Sequence, residues 1–146
     1  MDIKQISGDE VPAAAQLAGE LWPESTPEEL AREFEQLWRL EDHAVFLART
    51  EEGEAAGFAL VALRRDYVEG ADTSPVGYLE GIYVRPAYRH SGLGRALLQR
   101  GEDWAGRQGC AEFASDVEWH NRDSQYFHER CGFREANRVV CYIKSL

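Results

Sequence analysis

Hydrophobic residues along this chain change their spacing several times, and each change marks an element of secondary structure. Between residues 10 and 21 the apolar positions recur every three or four residues, which predicts a helix. Apolar runs bounded by glycine or polar turns, such as residues 43–49 and 55–63, predict strands. In chain order, the pattern predicts a strand at 2–6, helices at 10–21 and from 26 onward, strands at 43–49, 55–63 and 76–84, a helix at 92–106, a strand at 110–115, a helix at 121–130 and a closing pair of strands at 133–143.

Capping and turn residues refine this pattern. Thr26 and Glu29 form a capping-box sequence around Pro27, which suits the first turn of a helix. Gly81 interrupts the strand predicted at 76–84, and a glycine inside a strand marks a bulge or a close backbone approach. Hairpins in the first half and strands that precede helices in the second half indicate an α/β (α+β) fold with a mixed sheet and helices on both faces. We expect one domain spanning residues 1–146.

Charge is distributed unevenly along the chain. The formal net charge is −10, residues 1–63 hold 14 acidic and 4 basic side chains, and residues 64–146 hold 12 of each. An acidic region attracts polycations and repels nucleic acid, so we expect no nucleic-acid partner. The alternative is that the carboxylates of the second predicted helix only form a solvated helix face and attract no partner.

Several other kinds of site have no support in the sequence. No apolar run approaches the roughly 18 residues of a membrane span, and the first residues lack the features of a signal peptide, so we expect a cytoplasmic protein without membrane association. The three cysteines are widely spaced, which argues against a disulfide framework or a zinc site and favours reduced, partly buried thiols. No hydrolase, zinc-protease or nucleotide-triphosphatase motif occurs, and we expect no metal.

A basic, glycine-spaced turn at residues 89–94 stands between an apolar strand and an amphipathic helix. The first N–H groups of a helix have no intrahelical partners and lie at the positive end of its dipole. A glycine-rich turn lets these groups surround a phosphate, so the segment predicts an anion site. An ordinary loop is the alternative.

Two segments resemble the signatures of the GNAT acetyltransferase superfamily. Residues 78–104 are similar to its acyl-CoA-binding motif, and residues 121–133, NRDSQYFHERCGF, are similar to its second signature. Residues 67–70, 73–84 and 112–116, together with Leu21-Trp22, resemble one branch, the aminoglycoside 6'-N-acetyltransferases. The resemblance implies a GNAT-like fold, a central mixed and mostly antiparallel sheet with a splayed cofactor cleft, and acetyl-CoA as co-substrate.

The resemblance also implies which residues would hold acetyl-CoA. Backbone groups of Ile82 and Val84 would pair with pantetheine beside the bulge, and Asn121 would anchor its helix near the cofactor. Leu93 would fix the pyrophosphate loop by burial, and His90 is expected to be a loop residue rather than a catalyst. The loop set is Arg89, His90, Ser91, Gly92, Leu93, Gly94 and Arg95.

Amide formation from a thioester needs a neutral amine, so a carboxylate close to the amine can bind its ammonium form and accept the proton. Asp116 is the first candidate, because it follows a strand expected to end at the cleft; capping of the next turn is the alternative. Glu80 is the rival base, since a carboxylate in a strand suited to burial requires a polar partner; a surface-facing position is the alternative. Both carboxylates acting together is a third possibility.

Other acceptor-site residues follow from the resemblance. Tyr67 and Asp72 lie in the loop where the branch has substrate-contacting aromatic and acidic residues. Trp22 either stacks against sugar rings or is a core aromatic at the end of a helix. His128 stands where many GNAT enzymes have a tyrosine that protonates the thiolate, so either His128 takes this role or solvent does.

The resemblance therefore implies transfer of acetyl from acetyl-CoA to the 6'-amine of an aminoglycoside, by direct attack in a ternary complex, with resistance to the antibiotic as the consequence. Acetylation of another cationic amine, such as a polyamine or a protein N-terminus, is the alternative, and a binding module without turnover is a third. The alternating residues 138–143 predict either an internal strand or a contact across a two-fold axis, and we expect a homodimer.

Overall fold

The computed structural model describes all 146 residues, which form five strands and four α-helices around one sheet. Short 3-10 helices at Gly8–Glu10 and Pro86–Tyr88 precede α1 and α3. The strands and helices are β1 Asp2–Gln5, α1 Val11–Leu21, α2 Pro27–Arg39, β2 His43–Arg49, β3 Ala55–Arg64, β4 Val76–Val84, α3 Leu93–Arg107, β5 Phe113–Ser115 and α4 Arg122–Arg130.

The sheet is mixed and mostly antiparallel, as the sequence predicts. Its strand order is β1-β2-β3-β4-β5, and only the β4–β5 pair is parallel. That pair extends over three residues of each strand, Gly77–Leu79 against Phe113–Ser115. Beyond Leu79, β4 continues to Val84 without a partner on this side, so the two strands splay apart and open a cleft.

The predicted bulge in β4 is present at the point where the strands separate. Leu60 of β3 pairs with Gly81, whereas Val61 pairs with Leu79, so Glu80 is the additional residue of β4. A Cβ atom on Gly81 would stand 2.6 Å from the Cη2 atom of Trp22. Glycine is therefore needed here because the indole ring packs directly on the backbone of β4.

Helices cover both faces of the sheet. On one face, α1 and α2 pack on β2 and β3 through a cluster that includes Leu17, Phe34 and Phe58. On the other face, α3 packs on β2, β3 and β4, and α4 adds Phe127 to that cluster. Full burial of a side chain such as Phe58 contributes about 1.5–3 kcal/mol, so the two clusters fix both helical layers. None of the helices is long and apolar enough to cross a membrane.

Helix α2 begins directly after the capping residue that the sequence predicts. The Thr26 hydroxyl accepts a hydrogen bond from the Glu29 N–H at 3.1 Å, with Pro27 in the first turn. In α2, Leu30 and Phe34 are fully buried against the sheet, as the helical spacing of its apolar residues requires.

The predicted closing strands at 133–143 are wrong. Residues 134–146, here called the C-terminal arm, form no strand and no helix. Val139 is 69 % exposed and Tyr142 is 92 % exposed. A strand needs a hydrogen-bonded neighbour, and no strand of the chain pairs with the arm. Cys141, on this arm, is therefore exposed rather than partly buried, while Cys110 and Cys131 are partly buried as expected.

Candidate active site

The start of α3 presents the backbone geometry of an anion site. Gly92 caps the helix in the left-handed conformation, with φ 83°, and no atom lies within 4 Å of the position that a Cβ would occupy. The first hydrogen bond of the helix joins the Ala96 N–H to the Gly92 carbonyl at 3.0 Å. The N–H groups of Leu93, Gly94 and Arg95 precede it, so they lack intrahelical acceptors. An anion at this end would also lie at the positive end of the helix dipole.

The loop that leads to this helix is held by side-chain contacts. The Arg89 Nε donates to the Val84 carbonyl at 2.7 Å, and its guanidinium lies 5.5 Å from the centre of the Tyr83 ring. The Ser91 hydroxyl donates to the Tyr88 carbonyl at 2.5 Å, and His90 has a positive φ of 61°. Arg89 therefore fastens the loop to the end of β4, and Ser91 fastens it to the 3-10 helix at Pro86–Tyr88.

Three further residues of the predicted cofactor set lie between α3 and its neighbours. Leu93 is buried at the base of the loop, as expected. A Cβ on Gly94 would stand 3.0 Å from Cε1 of Phe127, so this glycine permits close packing of α3 on α4. The Arg95 Nη2 donates to the Arg130 carbonyl at 2.6 Å, which joins α3 to the end of α4.

The remaining predicted cofactor residues border the cleft at β4 and α4. Ile82 and Val84 lie on β4 beyond the splay, with half-buried side chains. Asn121 caps α4, and its Oδ1 accepts a hydrogen bond from the Ser124 N–H at 3.2 Å. This cap fixes the first turn of α4, the role that the sequence suggested for Asn121.

Four side chains form a connected polar network where β4 and β5 separate. The Tyr78 hydroxyl donates to Oδ2 of Asp116. The Arg64 guanidinium lies 3.4 Å above the centre of the Tyr78 ring. Its Nε and Nη2 donate to the two oxygens of Glu80, at 2.9 Å each. Both predicted carboxylates thus belong to one cluster, and Glu80 has the polar partner that its partly buried position requires.

Sheet register explains why these residues meet. Tyr78 pairs with Ala114 in β5, and Asp116 lies two residues beyond Ala114, on the same face. Tyr78 also pairs with Ala62 in β3, two residues before Arg64. Neither Tyr78 nor Arg64 is among the site residues predicted from the sequence. Tyr78 lies two residues before Glu80 on the same strand, and this spacing could have indicated that Tyr78 is near Glu80. The position of Arg64 follows only from the pairing of β3 with β4.

Burial and a neighbouring charge keep the Tyr78 phenol protonated. Desolvation raises the pKa of Tyr78 most, and its hydrogen bond to the Asp116 carboxylate raises it further. Because the phenol does not ionise near neutral pH, it acts as a permanent donor to Asp116.

The loop between β3 and β4 carries the two predicted acceptor residues Tyr67 and Asp72. Tyr67 is 81 % exposed, and its hydroxyl donates to Glu69 at 2.6 Å. The backbone N–H groups of Asp72 and Thr73 donate to Oε1 of Glu112, at 2.9 and 2.8 Å. Hydrogen bonds from the Thr73 side chain and from this backbone hold the pKa of Glu112 below its usual range. Glu112 anchors the loop, a role that the sequence analysis also missed.

Trp22 stands beside the bulge at the end of α1. Its ring meets the Phe58 ring edge to face, at 6.1 Å between centroids, and covers Gly81. Trp22 is half-buried, so it packs against the core while part of its surface remains accessible. Of its two sequence interpretations, core packing is the one with observed contacts.

His128 lies behind the cleft on α4. Its Nδ1 is 2.7 Å from the Ser124 carbonyl, which can only accept, so Nδ1 carries a proton. Its Nε2 is 2.9 Å from the Ser115 hydroxyl, and the ring packs on Phe133 at 4.9 Å between centroids. In neutral His128, Nε2 therefore accepts the hydrogen bond that Ser115 donates.

Comparison with known proteins gives consistent matches over most of the chain. Residues 11–133 match the family described as "Acetyltransferase (GNAT) family". Two proteins named aminoglycoside N(6')-acetyltransferase type 1 align over nearly their full length. That of Serratia marcescens is 42 % identical over 138 residues, 94 % of each chain, and that of Stenotrophomonas maltophilia is 43 % identical over 144 residues, 99 % of this chain and 93 % of the relative.

Solved structures agree with these matches. The AAC(6')-Iy enzyme in complex with the bisubstrate analogue CoA-S-monomethyl-acetylneamine superimposes with a TM-score of 0.95 at 36 % identity, covering 99 % of this chain and 98 % of that one. The aminoglycoside 6'-N-acetyltransferase AAC(6')-Ih from Acinetobacter baumannii gives a TM-score of 0.92 at 37 % identity, with the same coverage. The chain that has this splayed sheet and carboxylate network therefore resembles these two enzymes over nearly its whole length.

Proposed function

Because this chain belongs to the GNAT acetyltransferase family, we propose that it transfers the acetyl group of acetyl-CoA to the 6'-amino group of an aminoglycoside. The observation that carries this function is the pair of carboxylates, Asp116 and Glu80, at the mouth of the cleft between β4 and β5. Near-full-length similarity to aminoglycoside 6'-N-acetyltransferases supports the acceptor class. Acetylation of the antibiotic is a resistance activity.

The residues around the cleft fit acetyl-CoA. The N–H groups at the start of α3 and the open space at Gly92 suit the pyrophosphate, with Ser91 and His90 shaping the loop. The unpaired edge of β4 at Ile82 and Val84 suits the amide groups of pantetheine. Bound acetyl-CoA supplies the activated thioester carbonyl. Arg89 and Arg95 hold the loop and helix in place through backbone carbonyls and add positive charge near the phosphates.

The acceptor side is suited to a polycation. Asp116 and Glu80 attract an ammonium group, and Asp116 accepts the proton that the amine must lose before it attacks the carbonyl directly in a ternary complex. We assign the contacts with the aminosugar rings to Tyr67 and Asp72, on the loop anchored by Glu112. We assign a further contact with these rings to the accessible part of the Trp22 ring.

We assign an indirect role to His128. In the neutral state it holds its only ring proton on Nδ1, against the Ser124 carbonyl, so it has no proton to deliver toward the cleft. Its Nε2 orients the Ser115 hydroxyl, which lies one residue before Asp116. Solvent then supplies the proton that the departing thiolate takes up.

We also propose a single domain and a cytoplasmic location for the protein. All five strands belong to one sheet, and α4 packs on the same core, which supports a single domain over residues 1–146. The three cysteines are free thiols, in keeping with the reducing conditions of the cytoplasm, where we place the protein.

We further propose that two copies form a homodimer through their C-terminal arms. The arm has the alternating sequence of a strand, yet its apolar side chains at Val139, Val140, Tyr142 and Ile143 are exposed. The outer edge of β5 is also without a strand partner. Residues 139–146 extend about 26 Å at 3.3 Å per residue, enough to reach a second copy. Reciprocal pairing of each arm beside the partner's sheet would cover both apolar surfaces and satisfy both edges.

Release of CoA thiol from acetyl-CoA tests the enzymatic proposal. The acceptors are an aminoglycoside with a 6'-amine, a matched aminoglycoside with a hydroxyl at the 6' position, spermidine and a peptide with a free N-terminus. We expect rapid release with the first acceptor only. Equal rates with spermidine or the peptide would assign the enzyme to another cationic amine, and tight binding of the aminoglycoside without thiol release would identify a sequestering module.

Light scattering of the purified protein tests the homodimer. The chain has a mass of 16.5 kDa, so we expect about twice this mass for the full chain and one chain mass after truncation beyond Arg138. Truncation beyond Lys144 is the control and should leave the dimer intact. A full chain that stays monomeric at micromolar concentration would contradict the proposal, and so would a truncated chain that remains dimeric.

A further inference from the structure

Tyr78 is a buried hydroxyl with a single hydrogen-bond partner. Only 7 % of the residue is exposed, and the one hydrogen bond of its hydroxyl goes to Oδ2 of Asp116. An ionised carboxylate can only accept, so Tyr78 donates and Asp116 receives. No hydrogen bond within the chain engages Oδ1 of Asp116, which leaves that oxygen available to an acceptor amine.

Glu80, the second carboxylate, is bound by Arg64 rather than by a tyrosine hydroxyl. Arg64 donates to both oxygens of Glu80 in a two-bond fork, at 2.9 Å each, while its guanidinium covers the Tyr78 ring. A fork of this kind fixes a carboxylate and offsets part of its charge. The stacked guanidinium also holds the Tyr78 ring in place against the sheet.

We propose that Tyr78 is a positioning residue for Asp116, and that Arg64, by occupying Glu80 and clamping the Tyr78 ring, makes Asp116 the carboxylate that accepts the amine proton. This assignment rests on the acetyl transfer proposed above and specifies which carboxylate serves it. Tyr78 acts only through Asp116, since its hydroxyl is buried behind that carboxylate and points at it.

Three charged side chains surround the Tyr78 hydroxyl and ring. Asp116 beyond β5 and Glu80 on β4 are acidic, and Arg64 on β3 is basic. Loss of the Tyr78 hydroxyl removes the one hydrogen bond that orients Asp116 and leaves this carboxylate free to rotate away from the amine.

The Tyr78→Phe variant tests the role because it removes the hydroxyl and keeps the ring under Arg64. We expect kcat for the aminoglycoside to fall about tenfold, the factor for loss of one hydrogen bond to a charged group. We expect KM for acetyl-CoA to stay unchanged, because Tyr78 acts on the carboxylate that serves the acceptor amine. The matched control is Tyr126→Phe, which deletes the hydroxyl of an exposed ring on α4 that forms no hydrogen bond within the chain.

A double-mutant cycle separates positioning from a structural effect. In the Asp116→Asn background, Tyr78→Phe should change kcat by less than about twofold, since the group it positions is already gone. A tenfold loss that persists in that background would overturn the role, and so would an unchanged kcat in an active Tyr78→Phe enzyme. If the wild-type protein acetylates no aminoglycoside, the proposed function is wrong, and the role of Tyr78, which rests on that function, is wrong as well.

Discussion

At the residue scale, the surroundings of Asp116 and Glu80 predict unequal catalytic roles. Asp116→Asn keeps the shape and removes the charge, so we expect kcat at neutral pH to fall by about 10²- to 10⁴-fold. Glu80→Gln should lower kcat by about tenfold at most and raise KM for the aminoglycoside, because both oxygens of Glu80 already bind Arg64. Steady-state kinetics of the two variants checks this order. Equal kcat losses would mean that the carboxylates share the proton.

Glu112 gives a second prediction at this scale, with a defined pH dependence. Its pKa is lowered in the folded protein, so its hold on the loop is fully present above the normal pKa of a glutamate and is lost as the pH falls through the lowered value. Glu112→Gln should raise KM for the aminoglycoside several-fold at neutral pH while kcat changes little, because only the loop with Tyr67 and Asp72 is loosened. Asp103→Asn, on the exposed side of α3, is the control. A loss in kcat alone would contradict this role.

At the scale of elements, the start of α3 is the part of the cleft whose function depends on backbone alone. Gly92→Ala places a Cβ in left-handed backbone and should cost about 1–2 kcal/mol of stability. It should also weaken acetyl-CoA binding by about tenfold or more, since the new methyl group points into the open space proposed for the pyrophosphate. Calorimetry with acetyl-CoA measures the second effect.

Gly53 offers a matched control for this experiment. It has φ 88° in the turn between β2 and β3, and no atom lies within 4 Å of its Cβ position either. Gly53→Ala should therefore lose similar stability and keep normal acetyl-CoA affinity. If the two variants bind acetyl-CoA equally well, the start of α3 is not the phosphate site.

At the scale of the whole molecule, the acidic N-terminal region should steer a polycation. In α2, Glu28 and Glu33 are exposed without ion pairs, whereas Glu35 is paired with Arg39 at 2.7 Å. Raising ionic strength from about 0.05 to 0.5 M should lower kcat/KM several-fold for a tetracationic acceptor and hardly affect a monoamine acceptor. The Glu28→Gln, Glu33→Gln double variant should reduce this salt dependence. Equal salt sensitivity for the two acceptors would make these carboxylates a solvated helix face.

Local sequence signals were sufficient for most of the elements. Helical spacing and the Thr26 cap predicted α2, and Gly81 predicted the bulge in β4, because each depends on residues close in the chain. The choice of Asp116 and Glu80 as the carboxylates of one site is likewise supported by their meeting in a single network. The roles of individual residues stay predictions until the variants above are measured.

Contacts between distant parts of the chain were beyond the sequence pattern. The alternation at residues 138–143 is correct for a strand, but a strand also needs a neighbour, and the fold of one chain supplies none. Arg64 and Tyr78 joined the carboxylates only through the pairing of three strands, and Glu112 reached Asp72 across a separation of 40 residues. Gly94 lies in a glycine-rich motif, yet its close neighbour is Phe127 of α4.

The sequence by itself determined the element order as far as α4, the bulge, the glycine turn before α3 and the acidic character of the N-terminal region. Each of these follows from local backbone preference, from the period of apolar residues or from charge count. Only the tertiary structure decided how Asp116 and Glu80 differ, because that difference depends on which donors strand register brings to each carboxylate. It also decided that the C-terminal arm stays without a partner, since hydrogen bonding between strands is a property of their pairing and not of either sequence alone.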